Sequence, residues 1–283
     1  MWVDGRLLAA GAPAVAAEDQ GLQLGLAVFD TLLLEHRCLY FLELHLERLE
    51  RGARELAIAW PPPHDPVLAL RSYAEAIGGR DAALRPMLTR GVPGRGPTLV
   101  ITGRELLRPP EPGVELVVSA RRKSALELLE GVKSTNRVRN VLAREEAASR
   151  GAYDALLTTH EGDLSEGTIS NLWVVGGGRL RTPALGRGCL PGVMRGQLLA
   201  ELEREPAPFA TEEGRVELAD LERAEEVFVT NTTGRVIPVT AVIGLVSGLP
   251  GSRGPVTALV RQRVERLEAA ERDRVARAGG LVG

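Results

Sequence analysis

The chain has 283 residues, 44% hydrophobic and 25% charged, with 35 Lys plus Arg against 37 Asp plus Glu for a net charge of -2. That length suits one large domain or two of ordinary size, with enough apolar content for a buried core rather than disorder. The near-zero charge argues against a general electrostatic grip on nucleic acid or an anionic membrane, no apolar run approaches the roughly 20 residues of a bilayer span, and Met1-Trp2-Val3-Asp4-Gly5 lacks the basic and apolar regions of a secretory signal.

In chain order, Met1 to Leu8 alternates around a turn at Asp4-Gly5, and Leu26 to Leu34 is a dense apolar run that predicts a buried strand. Glu35-His36-Arg37 then turns the chain into a partner strand at Cys38 to Phe41. From Leu42 the period becomes helical: Leu46, Leu49, Ala53, Leu56 and Ala57 recur with Glu47, Arg48, Glu50, Arg51 and Arg54 between them, until Pro61-Pro62-Pro63. A second helix is predicted over 66–77, ended by Gly78-Gly79, then a strand pair over 82–89 and 98–102 around a Gly/Pro-rich loop at 90–97. The segment 107–113, with Pro109, Pro110 and Pro112, reads as a linker before a strand over 114–120. A helix is predicted over 135–150, with Val138, Val141 and Leu142 on one face and Gly151 as its cap. Strands follow at 155–159, 169–175 and 180–182, then a helix from Pro191-Gly192 to about Glu203, strands at 227–230 and 236–242, and a charged C-terminal helix over 256–278. Hairpins mixed with helices give an α/β (α+β) class in two domains: a small N-terminal α/β domain over 1–110, a linker and strand over 111–123, and a large C-terminal domain over 124–283.

The cysteines, Cys38 and Cys189, lie far apart outside any CxxC pattern, and His36, His45, His64 and His160 are scattered. Neither a disulfide framework nor a metal site is expected, and the compartment reads as cytoplasmic. Lys133, in Gly131-Val132-Lys133-Ser134-Thr135-Asn136, sits between an acidic helix and a new one. A lysine is ordinarily a solvated surface group; one at such a junction is also placed to be a partly desolvated amine able to form a Schiff base. Glu166 precedes Gly167 at the start of an apolar strand, either a hairpin-end acid facing water or a carboxylate held against a cationic ring nitrogen. Leu190-Pro191-Gly192-Val193-Met194-Arg195 opens a helix whose first amides attract anions, and Thr230-Asn231-Thr232-Thr233-Gly234 is a polar turn able to give hydroxyls and amides to a phosphate. Each has an ordinary structural reading, as does Arg48 on the polar face of its helix. Together they are an imine former, a ring-nitrogen partner and a phosphate cup, the parts that a pyridoxal phosphate site needs.

These segments, in this order, resemble the class IV (fold type IV) pyridoxal-phosphate enzymes, which include branched-chain and D-amino-acid aminotransferases, (R)-selective amine transaminases and 4-amino-4-deoxychorismate lyases. The resemblance runs from about Trp2 to Val242 through HLERL at 45–49, GVKSTNR at 131–137, YDALL at 153–157, EGTISNLW at 166–173, LRTP at 180–183, CLPGVMR at 189–195 and NTTGRVIPV at 231–239. It implies two domains with pyridoxal 5'-phosphate in the interdomain cleft, the larger domain cofactor-binding, and a homodimer. It implies that Lys133 holds the cofactor and shuttles the proton, and that Glu166 pairs with the pyridine nitrogen. Arg48, the Val193 and Met194 amides and Thr232 would take the phosphate, with Leu190 against the ring face. Many relatives have Thr where this chain has Met194, so a hydroxyl contact is lost there.

Asn136-Arg137 after the lysine and Phe29-Asp30-Thr31 look like the lyase pattern, and the loop Thr89 to Gly96 is similar to that of the lyases and related to that of the D-amino-acid aminotransferases. Thr31 is then a catalytic hydroxyl near the reacting centre, and Arg95, Asn136 and Arg137 are substrate-binding. The usual Gly-Asp-Gly is here Gly25-Leu26-Ala27, and the usual Asp-Arg-Gly is Asp19-Gln20-Gly21. The expected function is 4-amino-4-deoxychorismate lyase, a β-elimination giving 4-aminobenzoate and pyruvate in folate biosynthesis. The alternatives are an aminotransferase of D-amino or branched-chain amino acids with a 2-oxo acid acceptor, and a non-catalytic relative that only binds cofactor or a partner.

Overall fold

The structure, a computed structural model, describes residues 1–124, 126–127 and 129–279. The expected second domain, 124–283, also takes in residues 125, 128 and 280–283, which lie outside the described residues. The chain divides into two compact units: Met1–Leu107 with Val132–Asn136 and the chain from Glu268 onward, and Arg108–Gly131 with Arg137–Leu267. The cut at Leu107 is close to the expected 110, but 132–136 and the C-terminal end, expected in the second domain, count with the first. Backbone pairing explains the former: Phe29 N donates to Lys133 O at 2.9 Å, Thr135 N to Ala27 O at 3.0 Å, and Val28 and Ser134 form an antiparallel bridge. The latter is tied by Glu271, which accepts from Phe41 N at 3.1 Å, and by Arg274, which pairs with Glu43 at 2.8 Å.

The first unit holds β1 (Trp2–Val3), β2 (Arg6–Leu7), α1 (Gln20–Leu24), β3 (Ala27–Phe29), β4 (Leu32–Glu35), β5 (Cys38–Leu39), α2 (Leu42–Glu55), α3 (Pro66–Ala76), β6 (Ala82–Val92) and β7 (Gly96–Arg104). Its sheet runs β2-β1-β7-β6-β4-β5, with β3 also on β6. The apolar run expected as one strand over 26–34 is two, broken at Asp30-Thr31. Opposite the break lies Pro86, which has no amide to give; its carbonyl accepts from Asp30 N at 2.9 Å. On α2 the buried residues His45, Arg48, Leu49, Gly52 and Ala53 share one face. Gly52 permits close approach, since a Cβ there would sit 3.2 Å from Val28 and 3.4 Å from Val132. The helix ends at Glu55, well before the prolines, where Ala57 turns left-handed.

The second unit holds β8 (Val114–Lys123), α4 (Val138–Ser149), β9 (Asp154–Thr159), β10 (Leu164–Gly167), β11 (Asn171–Gly176), β12 (Arg179–Pro183), α5 (Val193–Arg204), β13 (Ala210–Gly214), α6 (Leu218–Glu222), β14 (Glu226–Asn231), β15 (Arg235–Val242), β16 (Val246–Ser247) and the start of α7 (Pro255–Arg277). The sheet order is β10-β9-β8-β15-β14-β11-β12-β13, with β16 on β15, and β10 also pairs with β11, so the strands from β10 round to β11 close into a ring. Alternate residues fill its core: Val114, Leu116, Leu156, Leu172, Val229 and Ile237 are all buried together. The opposite set, Val117, Ala155 and Leu157, packs on α4, which makes the crossover between the parallel strands β8 and β9.

Three expectations are corrected here. The described residues between β8 and Lys133 form no helix, where an acidic one was expected, and α4 begins at Val138 rather than Thr135. Val138, Val141 and Leu142, expected on one face, are 71%, 53% and 37% exposed, and the face packed on the sheet is Ala143 and Ala147. Small residues win because the helix lies close on β8 and β9. The strand expected at 169–175 begins only at Asn171, and Glu166 lies in a strand of its own, β10. Glu226 caps α7 by accepting from Val256 N at 2.9 Å and Thr257 N at 2.7 Å. No helix among the described residues is long and apolar enough to cross a membrane. An Ala147→Leu substitution is expected to overpack α4 against the sheet and cost about 1–3 kcal/mol in denaturant unfolding, and unchanged stability would contradict this packing.

Candidate active site

In the first unit the polar site grows from Asp30, which is fully buried. Arg48 forks onto it, Nε to Oδ2 at 2.9 Å and Nη2 to Oδ1 at 2.7 Å, and His45 Nδ1 lies 2.9 Å from Oδ1. Arg48 is 6% exposed, so the solvated position expected from its polar helix face is corrected: it shares the buried face with His45. Burial works against ionising Asp30, but the adjacent Arg48 and His45 outweigh it and hold the carboxyl well below the usual carboxylate range. Burial pushes His45 below its ordinary value despite the neighbouring carboxylate. Asp30 also accepts from the Thr31 amide at 2.6 Å. The Thr31 hydroxyl makes no hydrogen bond among the described residues.

Lys133 belongs to the same unit. Its ammonium lies 4.9 Å from the centroid of the Phe29 ring, over which the Arg85 guanidinium also lies, at 3.8 Å. Asn136 holds the segment in place: its Nδ2 donates to Gly25 O at 2.9 Å. Gly25 has φ 68°, and a Cβ there would run into the Asn136 side chain. The expected substrate contact Asn136 is thus engaged with the chain itself. Arg95 is exposed at the β6–β7 turn, whose Gly91, Gly94 and Gly96 all have positive φ. A hollow of about 460 Å³ lies beside that turn, lined by Gln20, Ala57, Ala59 and Arg90 as well.

In the second unit Glu166 is 4% exposed, which excludes the water-facing reading. Its Oε2 accepts from Leu190 N at 2.9 Å and, more weakly, Asn171 Nδ2 at 3.5 Å; its Oε1 accepts from Lys123 Nζ at 2.9 Å. Asp154 shapes the turn after Glu166, accepting from Thr168 Oγ1 at 2.5 Å, Thr168 N at 3.2 Å and Ser170 Oγ at 3.0 Å. Leu190 is buried, and its carbonyl accepts from Asn171 Nδ2 at 3.0 Å. Val193 and Met194 open α5, whose N-cap Gly192 offers no side-chain cap, so the first amides are open to an anion. Gly192 is needed because a Cβ would collide with Asn171 Oδ1. In the polar turn, Thr230 is spent on the Trp173 indole at 3.0 Å and Thr233 faces Asn231 at 3.4 Å, while the Thr232 hydroxyl has no partner among the described residues. Arg137 is the N-cap residue of α4.

The residue that sequence reasoning missed is Lys123. In Arg121-Arg122-Lys123 it looks like one of three solvated cations, yet it is 1% exposed, bonded to Glu130 at 2.7 Å and Glu166 at 2.9 Å. A signal did exist: of 35 Lys plus Arg residues only Lys123 and Lys133 are lysines. Burial opposes the charge on Lys123, but Glu166 and Glu130 more than offset it and raise the pKa, so this amine stays protonated and is no nucleophile. Lys133 is the other lysine of the chain.

Comparison with known proteins identifies the family. Residues 27–242 match the family model described as amino-transferase class IV. The chain is 30% identical over 271 residues to a D-alanine aminotransferase of Bacillus licheniformis, covering 93% of this chain and 94% of that protein. It is 32% identical to the crystal structure of a 4-amino-4-deoxychorismate lyase from Pseudomonas aeruginosa, with a TM-score of 0.79 over 94% of this chain and 98% of that one. A branched-chain aminotransferase from Thermoproteus uzoniensis, 24% identical, shares the fold at a TM-score of 0.85 over 97% and 96%.

The buried Asp30–His45–Arg48 cluster makes stability pH-dependent. As pH falls below about 6.5, His45 protonates in the unfolded chain before the folded one; below about 3.9 the unfolded Asp30 protonates while the folded one stays ionised. Both steps remove stability. Denaturant unfolding at a series of pH values should show a decline that starts near pH 6.5 and steepens below about 4, and His45→Asn should flatten its upper part. An identical upper slope in that variant would contradict the assignment.

Proposed function

Because the chain belongs to the class IV aminotransferase family, we propose that it is a lyase that splits 4-amino-4-deoxychorismate into 4-aminobenzoate and pyruvate, a step of folate biosynthesis. It is a pyridoxal 5'-phosphate enzyme, and its donor set fits that group: a buried carboxylate for a ring N–H, uncapped helix amides for a phosphate and a lysine amine, Lys133, beside the Phe29 ring. Bound pyridoxal phosphate supplies an electron sink for the carbanion left by removal of a proton next to the amine.

In this reading Lys133 would hold the cofactor and, as a base, would take the proton from the carbon that bears the substrate amine. Glu166 holds the ring nitrogen. The Val193 and Met194 amides, Thr232 and Arg48 take the phosphate, Asp30 fixing the plane of the Arg48 fork. Leu190 packs on the ring face, its amide holding Glu166. Arg95, Asn136 and Arg137 serve the substrate; for Asn136 this is through the Gly25 contact that sets the segment. The observation that carries the lyase is Thr31: its amide is fixed by Asp30, two residues from the Phe29 amide that ties down Lys133, and its hydroxyl is left to donate to the departing enolpyruvate oxygen. Loss of that oxygen from the neighbouring carbon leaves an aromatic amine, and no amino acceptor is needed. The second reading, an aminotransferase of D-amino or branched-chain amino acids, rests on the 30% identity to the D-alanine enzyme.

A homodimer is proposed as well, for which the solvent-facing Val138, Val141 and Leu142 of α4 supply an apolar face for a second copy. A cytoplasmic location is proposed from two free, buried cysteines.

The deciding assay adds 4-amino-4-deoxychorismate to the cofactor-loaded protein without a 2-oxo acid: release of 4-aminobenzoate is expected. Conversion of the cofactor to its amine form by D-alanine or a branched-chain amino acid, with no 4-aminobenzoate, would favour the second reading. Lys133→Ala is expected to lower turnover by roughly 10²-fold or more with the fold intact, and retained activity would overturn its role.

A further inference from the structure

Lys123 stands where β8 ends, after the β8–β9 register shifts between Val118 and Arg122 and returns the strand's last side chain to the buried side. Its ammonium joins Glu166 to Glu130, and Arg139 continues the chain to Glu130 and to Glu127 at 2.8 Å. Two cations thus meet three carboxylates, leaving one negative charge in excess. Cys189 also faces this cluster, its thiol donating to Ser165 O at 3.1 Å; burial first, then the charge of Glu166, push it up to about 12, so it stays neutral. Arg195, also near Cys189, is paired with Glu213 at 2.5 Å. A carboxylate has about four lone-pair sites. On Glu166, Lys123, Leu190 N and Asn171 Nδ2 occupy three, so Oε1 keeps room for one more donor.

We propose that Lys123 is a positioning residue for the ring-nitrogen contact: by placing its ammonium against Glu166, it would bias the one proton shared between that carboxylate and a bound pyridine nitrogen toward the nitrogen. The inference rests on the role given to Glu166 above. The physical reason is distance. A cation in direct contact with the carboxylate lowers its proton affinity more than that of a group beyond it, because Coulomb energy falls with separation. Without Lys123, a buried carboxyl becomes the stronger base and draws the proton to itself, weakening the electron sink. In a chain whose other cations apart from Lys133 are all arginines, a lysine here supplies a compact ammonium that fits between two carboxylates.

The test compares wild type, Lys123→Met, Lys123→Gln and Lys123→Arg. In cofactor-free protein at neutral pH, infrared spectra should show a protonated-carboxyl band in Lys123→Met that disappears when Glu166→Gln is added, and no such band in wild type. With cofactor labelled with ¹⁵N in the ring, the nitrogen resonance should be that of a protonated ring in wild type, move toward the neutral-ring position in Lys123→Met, and return at least partway in Lys123→Arg. Turnover of Lys123→Met should fall roughly 10- to 100-fold with little change in KM, as for other residues that orient a bound group. Lys123→Gln, which keeps an N–H donor without the charge, should behave like Lys123→Met, and it serves if the Met variant does not fold. An unprotonated Glu166 and an unshifted ring nitrogen in both neutral variants would overturn the proposal. If the protein took up no cofactor, the reading of Glu166 would fail instead, and the infrared result would still decide what Lys123 does to that carboxyl.

Discussion

A carboxylate taken out of water remains ionised only if cations and N–H donors replace its hydration, and the candidate site is arranged around that requirement. Glu166 draws in the Leu190 amide, the Asn171 side chain and Lys123. Each partner fixes something else. Leu190 sets the path of the chain into α5, so the helix N-terminus is placed by the acid itself. Asn171 reaches over Gly192 and excludes any side chain there. Lys123 is brought inside by the irregular register of β8. Asp30 follows the same rule in the first unit: burying it breaks an apolar strand in two and orients Arg48 and His45 on the inner face of α2.

This arrangement separates chemical roles by environment. Of two lysines, one is locked between carboxylates and stays charged, and the other rests near an aromatic face at the end of a backbone bridge. Of the threonines at 230–233, those at 230 and 233 are held by neighbours, and the Thr232 hydroxyl has no partner among the described residues. The family fixes the cofactor and the general chemistry. What distinguishes elimination from amino transfer is where the carbanion's charge goes next, which places weight on Thr31 and on the loop that carries Arg95.

Much of this was legible in the sequence because motif residues sit at element boundaries, where local chemistry determines structure. Pro191-Gly192 opening α5 and the polar turn at 230–234 are of that kind. So are the α3 bounds, set by Asp65 as N-cap and Gly78-Gly79. The failures share one cause, which is that periodicity reports amphipathicity but not which face is packed. On α4 close packing on the sheet selected Ala143 and Ala147 and left the larger residues outside. On α2 the buried face carries Arg48 and His45, because the partner that makes their burial tolerable, Asp30, comes from a distant strand. Lys123 is the extreme case: its partners, Glu130 and Glu166, are separated from it in sequence, and nothing in Arg121-Arg122-Lys123 sets it apart except the scarcity of lysine elsewhere.

The central claim is that Lys133 is the amine that holds the cofactor. It is tested most directly by loading the protein with pyridoxal phosphate, reducing it with borohydride and locating the added mass by peptide mapping. With only two lysine side chains to choose from, the account predicts the label on Lys133. A label on Lys123, or on neither lysine, would contradict it.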